Sequence, residues 1–372
     1  MALSREDLQW MQLAARLARR GYPAPNPRVG ACIVKDGELV GYGYHPYAGA
    51  PHAEIFALQQ AGEQTHGAVL YVTLEPCCHY GRTPPCTQAV LKAGVARVVV
   101  GMTDPNPKVG GQGIQQLRQA GVRVELLDPA EPQARALINQ LEALNRPFLH
   151  RHREGRVLVT LKCALSLDGK LATCTGDSKW ITTARTRRYA HRMRAEHGSV
   201  LVGVGTVLKD NPQLTVRLPG VRSQPIRIVL DTHLRTPLEA QVLDTRSAPT
   251  LLVCAQPMPP HAEQYCQRGV EVLALPTDST GRVSLAALLD YLNTRHVNGV
   301  LVEGGSQVLT AFLKARLADR IAFFYAPKLI GGATALTPYE GEGIAEIAEA
   351  LSVRDIRLHR LGTDWLVEGS LR

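Results

Sequence analysis

The sequence is poor in several features that mark particular classes of protein. Of its 372 residues only 5% are aromatic, with five phenylalanines and three tryptophans. Proteins that hold single-stranded nucleic acid stack bases on aromatic rings, so this scarcity disfavours that class. No apolar run approaches the roughly 18 residues that a membrane-spanning helix needs. No run of five or more lysines and arginines forms a basic tail of the kind that binds nucleic acid.

The N-terminal residues also lack the apolar run of a secretory signal. Arg5, Glu6 and Asp7 stand where such a signal would be continuously apolar. We therefore expect a cytoplasmic protein with no membrane segment, whose eight cysteines are reduced. The net charge of +9 fits a surface rich in lysine and arginine, or an anionic partner such as nucleic acid or a phosphorylated small molecule.

The length and the order of the segments predict two α/β domains. Alternating apolar and amphipathic stretches indicate strands and helices in alternation through both halves. The basic stretch 150–156 follows the last helix of the first half and is predicted to link the domains. We place the domains at 1–147 and 148–372. The predicted helices of the first half are 4–20, 52–61, 87–93 and 132–145, and the predicted strands of the second half are 157–161, 200–204, 226–230, 250–254 and 300–302.

A histidine, a glutamate and two cysteines form the first chemical pattern. His52 and Glu54 lie two residues apart, and Cys77 and Cys86 each follow a proline. Imidazole and two thiolates are good zinc ligands, and three protein ligands leave a fourth position open for water. The pattern predicts one catalytic Zn²⁺ per chain, held by His52, Cys77 and Cys86. Glu54 would be the catalytic group that moves a proton from water to the substrate.

Other interpretations of these residues stay open. A structural zinc site would need a fourth protein ligand, which Cys78 or His79 could supply. The cysteines could also be core residues without a metal, although the glutamate and both prolines would then be coincidental. Nearby, Asn26 could hydrogen-bond the amide edge of a substrate, or it could be a turn residue before a proline.

The second half carries a weaker pattern for a cofactor. Gly203-Val-Gly205 begins a dinucleotide-binding motif, which fails at Leu208. Gly304-Gly305-Ser306-Gln307 follows a buried strand and opens a helix, where backbone amides can hold an anion. We expect Gly305, Ser306 and Gln307 to hold a cofactor phosphate, and the alternative is a tight strand-to-helix turn.

Two arginines of the second half are candidates for binding the phosphate of a substrate. Arg194 and Arg217 could each pair with phosphate oxygens in a bidentate way, and Ser178 could add a hydroxyl. Arg194 lies in the basic stretch 185–194, which could equally be a solvated helix face.

Longer motifs resemble a known family. Pro51-His-Ala-Glu54, Asp104-Pro-Asn-Pro107 and the run Thr73-Leu-Glu-Pro-Cys-Cys-His-Tyr-Gly-Arg-Thr-Pro-Pro-Cys86 look like the deaminase domain of the bifunctional riboflavin-biosynthesis deaminase–reductases. The long loop between the cysteines, with Gly-Arg-Thr-Pro-Pro at 81–85, separates that family from cytidine and tRNA-adenosine deaminases. The resemblance continues to the reductase domain at 162–169, 178–182, 210–217 and 302–305, and so covers nearly the whole chain.

This resemblance implies a fold and two activities. The fold would be a cytidine-deaminase-like αβα domain followed by a dihydrofolate-reductase-like α/β domain. The first domain would hydrolyse the ring amine of 2,5-diamino-6-(5-phosphoribosylamino)pyrimidin-4-one with zinc. The second would reduce the ribosyl group of the product to ribityl with NADPH.

The resemblance also implies roles for residues of the reductase half. It favours Arg194 and Arg217 over their neighbours as phosphate ligands. It places Ala164, Trp180, Thr206 and Asp210 at the cofactor, and Leu214 and Glu303 at the substrate. Asp168 could assist opening of the ribose ring, but Asp168-Gly169 is also a strong turn signal, and we favour the turn.

Two other functions remain as alternatives at this point. A nucleic-acid-editing zinc deaminase with an accessory basic domain would share the zinc chemistry and fit the charge, but it leaves the second half unexplained. A non-catalytic module stabilised by zinc would need no glutamate at position 54. We expect a phosphorylated pyrimidine as the substrate, no nucleic acid, no membrane, and a homo-oligomer.

Overall fold

The structure is a computed structural model that describes residues 3–80 and 84–372. The chain divides into two units, Met1–Gly155 and Arg156–Arg372, and each has its own sheet and its own hydrophobic core. The division lies a few residues after the boundary predicted at 147 and 148, and the functional bounds of the domains stay a prediction. None of the helices in the described part combines the length and the apolar character that crossing a membrane requires.

The first unit alternates strands and helices as predicted. Its helices are α1 (Arg5–Ala18), α2 (Ala53–Ala61), α3 (Cys86–Lys92), α4 (Gln112–Gln119), α5 (Pro132–Leu144) and α6 (Arg146–Glu154). Its strands are β1 (Gly30–Lys35), β2 (Glu38–Tyr44), β3 (Val69–Val72), β4 (Arg97–Val100) and β5 (Arg123–Leu126). The described strands pair in the order β2-β1-β3-β4-β5, with β1 antiparallel to both its neighbours and β3, β4 and β5 parallel.

Local signals in the sequence account for the start of this unit. Ser4 caps α1, and Asp7 completes a capping box with it. Asp36 and Gly37 both have positive φ, the conformation that a two-residue hairpin turn between β1 and β2 requires. The helix predicted at 4–20 is therefore confirmed, and a tight hairpin joins β1 to β2.

Helices cover both faces of the first sheet. On β1, Ile33 packs in one cluster with Ala57 of α2 and Leu117 of α4. Its neighbour Cys32 points the other way and packs with Met11 of α1. Successive side chains of a strand point to opposite faces, so a strand buried on both sides lies between two helical layers. This arrangement is the αβα sandwich that was predicted.

The basic stretch 150–156 is not an extended linker. Most of it belongs to α6, which begins at Arg146 with Pro147 in its first turn. Pro147, Phe148 and Leu149 are buried, and this short apolar segment holds a helix whose remaining residues are charged and more exposed.

The second unit is built on a larger sheet. Its helices are α7 (Ala184–His197), α8 (Val204–Asp210), α9 (Glu263–Cys266), α10 (Leu285–Thr294) and α11 (Ser306–Lys314). Its strands are β6 (Leu158–Ser166), β7 (Ser199–Gly203), β8 (Ile226–Leu230), β9 (Thr250–Ala255), β10 (Glu271–Leu275), β11 (Gly299–Val302), β12 (Arg320–Ala326), β13 (Arg354–Leu361) and β14 (Asp364–Ser370).

The sheet of the second unit is mainly parallel. Within the described residues its strand order is β10-β9-β8-β7-β11-β6-β12-β14-β13. The strands from β10 to β12 are parallel, and β14 and β13 extend the sheet antiparallel. On β12, Phe323 packs with Leu288 of α10 and Phe312 of α11, whereas Phe324 packs with Met193 on the other face. Both faces are therefore covered, and loops at the carboxyl ends of the parallel strands are free to form a site.

Candidate active sites

Three side chains from distant parts of the first unit meet in one cluster. The ligand atoms of His52, Cys77 and Cys86 all lie within 4.8 Å of one another. His52 Nδ1 is 3.2 Å from Cys86 Sγ and 3.6 Å from Cys77 Sγ. These are the three residues that the sequence predicted as zinc ligands.

Each residue of this cluster lies where a helix begins or a strand has just ended. His52 is the N-cap of α2 and Cys86 is the first residue of α3. Cys77 lies in the loop after β3, and the backbone N–H of Cys86 donates to its Sγ at 3.3 Å. Helix N-termini favour negative charge, so the first N–H group of α3 stabilises the Cys77 thiolate.

The electrostatics of the cluster fit a divalent cation. Hydrogen bonds with Cys86 and His52 lower the pKa of the Cys77 thiol to about 4, although burial opposes them. Contact with Cys77, together with burial, raises the pKa of the Cys86 thiol. Two adjacent thiolates repel each other, so one thiol ionises readily and the other does not. A divalent cation between them would offset this repulsion.

Glu54 lies beside the cluster, and one of its two carboxyl oxygens has no hydrogen-bond partner among the described residues. It lies in the first turn of α2 and is 3% exposed, and burial raises the pKa of its carboxyl to about 6. Within residues 3–80 and 84–372, its Oε2 is buried and has no hydrogen-bond partner. A buried carboxyl oxygen without a partner is costly unless a ligand occupies the space beside it. The donor set and this oxygen together fit a bound metal ion with a reacting molecule next to it.

A second pair lies against the cluster. Asn26 Nδ2 is 3.0 Å from His45 Nε2, and His45 Nδ1 is 3.1 Å from the carbonyl oxygen of Pro51. A carbonyl only accepts, so Nδ1 carries the proton of His45 and Nε2 accepts from the amide of Asn26. Burial lowers the pKa of His45 to about 4, which keeps the ring neutral. The ring of His45 lies 5.1 Å from that of His52, so the structure brings Asn26 close to the predicted ligands.

The residues considered as a fourth ligand lie outside the described cluster. Cys78 Sγ is 3.9 Å from the carbonyl oxygen of Lys108, and neither Cys78 nor His79 belongs to the metal-binding group found in the described chain. The three residues Gly81, Arg82 and Thr83 of the family's loop motif lie outside the described residues.

The predicted residues of the second unit follow the carboxyl ends of its parallel strands. Trp180 and Ser178 lie in the segment after β6, Thr206 and Asp210 lie in α8 after β7, and Gly305, Ser306 and Gln307 follow β11. Gly305 approaches Thr206 closely enough that a Cβ on it would lie 3.9 Å from the Thr206 hydroxyl. Ala164 is near the end of β6 itself. The sheet therefore brings the predicted cofactor residues to the same end of its parallel strands, the carboxyl end.

Glu303 stands at the centre of a buried ion network. Arg194 donates to both its oxygens, at 2.6 and 2.9 Å, and Lys162 Nζ lies at 3.4 Å. Burial alone would raise the pKa of Glu303, but Arg194 and Lys162 hold it well below its ordinary value. Arg194 therefore makes its bidentate contact with Glu303. The sequence had predicted a bidentate contact between Arg194 and the phosphate of a substrate.

Arg217 and its neighbours form a more open positive group. Arg217 is exposed, and its Nη1 donates to Gln213 Oε1 and Thr215 Oγ1. Leu214 is buried and has a φ of +53°. Burial, followed by the charges of Arg194 and Arg217, lowers the pKa of His191 to about 4. In the part of the chain that the structure describes, Ser178 makes no hydrogen bond with these residues, so the structure does not join it to them directly.

Sequence reasoning gave no role to Lys162, although it contacts Glu303. For His45 it left two interpretations open, contact with the substrate or the capping of a strand. Lys162 had a signal, since it is the one charged residue of the largely buried strand β6. The signal for His45 was weak, because the chain has twelve histidines and the contact with Asn26 joins residues 19 positions apart.

Comparison with known proteins agrees with both halves of this description. The family model "RibD C-terminal domain" matches residues 157–367, and the model "Cytidine and deoxycytidylate deaminase zinc-binding region" matches residues 4–102. The riboflavin biosynthesis protein RibD of Aquifex aeolicus is 46% identical over 97% of each chain.

Solved structures give the same result. Acinetobacter baumannii RibD, form 1, is 38% identical with a TM-score of 0.84 and covers 98% of this chain and 99% of its own. A diaminohydroxyphosphoribosylaminopyrimidine deaminase/5-amino-6-(5-phosphoribosylamino)uracil reductase from Thermotoga maritima is 35% identical with a TM-score of 0.80, over 98% of each chain. The chain therefore belongs to the RibD family of bifunctional riboflavin-biosynthesis proteins, with a deaminase domain and a reductase domain.

Proposed function

We propose that the first domain hydrolyses the ring amine of 2,5-diamino-6-(5-phosphoribosylamino)pyrimidin-4-one at a zinc site. The observation that carries this proposal is the meeting of His52, Cys77 and Cys86 beside the unpartnered oxygen of Glu54. The relative from Thermotoga maritima is named for a deaminase acting on this class of substrate. A zinc ion held by the three ligands would supply the Lewis acidity that makes water nucleophilic near neutral pH.

Glu54 moves protons in this reaction. Its raised pKa, about 6 through burial, lets it take a proton from water and return it near neutral pH. One proton of the water goes to the ring nitrogen, and the second proton goes to the leaving amine. Water supplies the oxygen of the new carbonyl, and ammonia leaves.

Asn26 and His45 orient the pyrimidine ring. The neutral His45 ring accepts from the amide nitrogen of Asn26, which leaves Asn26 Oδ1 as an acceptor for an N–H group of the substrate. A fixed amide selects one edge of the ring, because the opposite donor and acceptor pattern would leave a buried group unpaired.

We propose that the second domain reduces the ribosyl group of the deaminated product with NADPH. Gly305, Ser306 and Gln307 at the start of α11 would hold a cofactor phosphate, with Ala164, Trp180, Thr206 and Asp210 along the rest of the cofactor. The nicotinamide would supply the hydride, and the protein supplies orientation and the exclusion of water.

The substrate of the second domain would lie over the ion network. Glu303 stays ionised between Arg194 and Lys162 and can accept from ribose hydroxyl groups, beside Leu214. Arg217 and Ser178 would hold the phosphate, and the positive charge of Arg194 supports its binding. The open-chain ribosyl carbon receives the hydride and its nitrogen or oxygen receives a proton, so that two hydrogens are gained.

An editing deaminase acting on nucleic acid is not favoured. The second half of the chain matches the RibD reductase domain along residues 157–367, which an accessory basic domain would not explain. Zinc, NADPH and a phosphorylated pyrimidine are the partners that the two sites support.

Product mass after incubation of the zinc-replete full chain tests both activities. With the diaminopyrimidine substrate alone, we expect one amino group to be exchanged for oxygen. With NADPH added, we expect a further gain of two hydrogens. No exchange in protein that holds zinc and is folded would contradict the deaminase proposal, and exchange without reduction would contradict the reductase proposal.

Glu54→Gln is the matched control for this measurement. Glutamine keeps the size of the side chain but cannot move a proton, so deamination should fall by about 10²- to 10⁴-fold. Zinc content and NADPH-dependent reduction of the deaminated substrate should not change. If the variant lost its zinc, Glu54 would be a structural residue of the site.

A further inference from the structure

The carboxylate of Glu75 accepts three hydrogen bonds from backbone N–H groups. It is 4% exposed. Its Oε2 accepts the backbone N–H groups of Asp104 at 3.2 Å and Gly111 at 2.9 Å, and its Oε1 accepts that of Ile114 at 3.1 Å. Gly111 is the N-cap of α4, and Ile114 lies in its first turn. Glu75 therefore caps a helix that begins well after it in the chain, and the helix dipole favours its negative charge.

The same helix also touches the backbone beside Glu75. A Cβ built on Gly113 would lie 2.1 Å from the carbonyl oxygen of Pro76, so the first turn of α4 packs directly on that peptide. No side chain fits between them. Pro76 is the residue that joins Glu75 to Cys77.

Cys77 is held by α3 on its other side. The backbone N–H of Cys86 donates to its Sγ at 3.3 Å, and the N–H of Thr87 donates to its carbonyl oxygen at 3.2 Å. The short loop that carries Cys77 is therefore fixed between the N-termini of two helices. Glu75 makes the side-chain hydrogen bonds that join this loop to α4.

We propose that Glu75 is a positioning residue of the metal centre, which places the Cys77 thiolate by fastening its loop to the first turn of α4. This inference rests on the proposed zinc role of Cys77. Groups that orient metal ligands without touching the metal contribute strongly to metal affinity, because a ligand that is free to move must be ordered when the metal binds.

Glu75→Gln tests this role with little change in size. The amide nitrogen of glutamine would meet at least one of the backbone N–H groups donor to donor, so at least one tie to α4 is lost. We expect the zinc dissociation constant, measured by competition with a chromophoric chelator, to rise about 10- to 100-fold. Cobalt(II) in the variant should show a weaker thiolate charge-transfer band than in the wild-type protein.

Asp7→Asn is the matched control, because Asp7 is another buried carboxylate of the same unit. It accepts hydrogen bonds from Ser4, Tyr71 and Arg97, and none of these residues is a predicted metal ligand. The variant should unfold more easily than the wild-type protein but keep its zinc affinity within about twofold. Equal losses of affinity in both variants would show that affinity merely follows stability and would overturn the proposal.

A second substitution covers the case in which Glu75→Gln does not fold. Gly113→Ala keeps Glu75 but pushes α4 away from the Pro76 carbonyl, so zinc affinity should fall in the same way. Wild-type affinity in either folded variant would overturn the positioning role. Both measurements report metal binding, so wild-type protein that holds zinc but does not deaminate would contradict the proposed activity and leave the role of Glu75 standing.

Discussion

Asp168 has a clear place in the structure. The turn favoured by the sequence is confirmed, since the Gly169 N–H donates to the Ser166 carbonyl oxygen at 3.0 Å. The carboxylate also accepts from Ser166 Oγ at 2.6 Å and from the backbone N–H groups of Ile330 and Gly331 at 3.1 and 2.7 Å. These hydrogen bonds, led by that of Ser166, lower the pKa of Asp168 to about 2. Asp168 therefore fastens a segment far along the chain.

We predict that Asp168→Asn weakens the binding of the cofactor. Lys328, in the segment that Asp168 holds, donates to the carbonyl oxygen of Trp180 at 2.7 Å, and Trp180 is a proposed cofactor residue. An asparagine would turn an N–H donor toward one of the backbone N–H groups, so the segment should loosen. The KM for NADPH should rise about three- to tenfold, with kcat nearly unchanged, in a steady-state reductase assay.

Asp278→Asn is the control for that substitution. Asp278 is also a carboxylate in an exposed turn, and it accepts from Thr280 and Arg282, both within four residues. Among residues 3–80 and 84–372 its carboxylate contacts no distant segment, so its variant should keep the wild-type KM. An unchanged KM in Asp168→Asn would mean that the segment 328–331 does not support the cofactor.

His191 makes the stability of the reductase unit depend on pH. Its pKa is lowered to about 4 by burial and then by Arg194 and Arg217, whereas in an unfolded chain it is about 6.5. Between these values the unfolded chain binds more protons, so stability is lost as the pH falls from about 6.5 toward 4.

We predict that His191→Gln removes this dependence. From pH 8 to pH 5 the wild-type unit should lose about 1 kcal/mol more than the variant, once solvent screening is allowed for. Urea unfolding curves are measured at both pH values, with the reductase activity that remains after dilution as the readout. They give the difference in the free energy of unfolding between the two proteins. Parallel losses in the two proteins would show that His191 is protonated in the folded state at pH 5.

At this scale the sequence was informative where chemistry is local. His52, Glu54, Cys77 and Cys86 follow from residue type and spacing. The role of Glu75 does not, because its partners come 29 to 39 residues later, and no spacing rule connects them. The contact of Arg194 with Glu303, 109 residues apart, is equally invisible before the strands are assembled.

At the scale of elements, Arg227 ties several loops to strand β8. It is fully buried. Its Nη1 donates to the carbonyl oxygens of Gln213 and Gln241, both at 3.2 Å, and its Nη2 to those of Asp244 and Ala248, at 2.9 and 2.5 Å. Burial lowers its pKa to about 10, so it remains a cation at neutral pH.

We predict that Arg227→Met destabilises the reductase unit by about 2–4 kcal/mol, because buried carbonyl groups lose their donors. Gln213 directly precedes Leu214, so the KM for the deaminated substrate should also rise. Denaturant unfolding and steady-state kinetics measure the two effects. The control is Arg246→Met, which removes an exposed arginine that pairs with Asp244, and its free energy of unfolding should match that of the wild-type protein. If the two variants had the same free energy of unfolding, Arg227 would not have this role.

Elements were predictable where periodicity and end signals coincide. Helix α1 has both its cap and an apolar stripe, and the strands of the parallel sheet are short apolar runs. Helix α6 was missed because its basic residues suggest a linker and its buried residues are confined to its first turns. Strand β13 is mostly exposed, so its sequence lacks the run of apolar residues that marks a buried strand. Its backbone pairing with β14 holds it in the sheet.

At the scale of the whole molecule, the second unit contains what its own folding needs. Its first strand, β6, lies between β11 and β12 inside the sheet, and Arg156, the first residue of the unit, pairs with Asp319 at 2.6 Å. Its core includes Val157 and Val159 from the beginning of the unit. A chain that begins at residue 156 keeps all of these groups.

We therefore predict that a fragment of residues 156–372 reduces the deaminated substrate with NADPH. The proposed cofactor and substrate residues of this reaction, from Ala164 to Gln307, all lie within it. Its kcat should stay within about threefold of that of the full-length Glu54→Gln variant, which carries an intact first unit but cannot deaminate. The fragment must show cooperative thermal unfolding before it is assayed, because loss of the fold would otherwise be mistaken for loss of the site. A cooperatively folded fragment without activity would mean that the first unit contributes groups to the reductase site, and adding the separate fragment 1–155 should then restore the reaction.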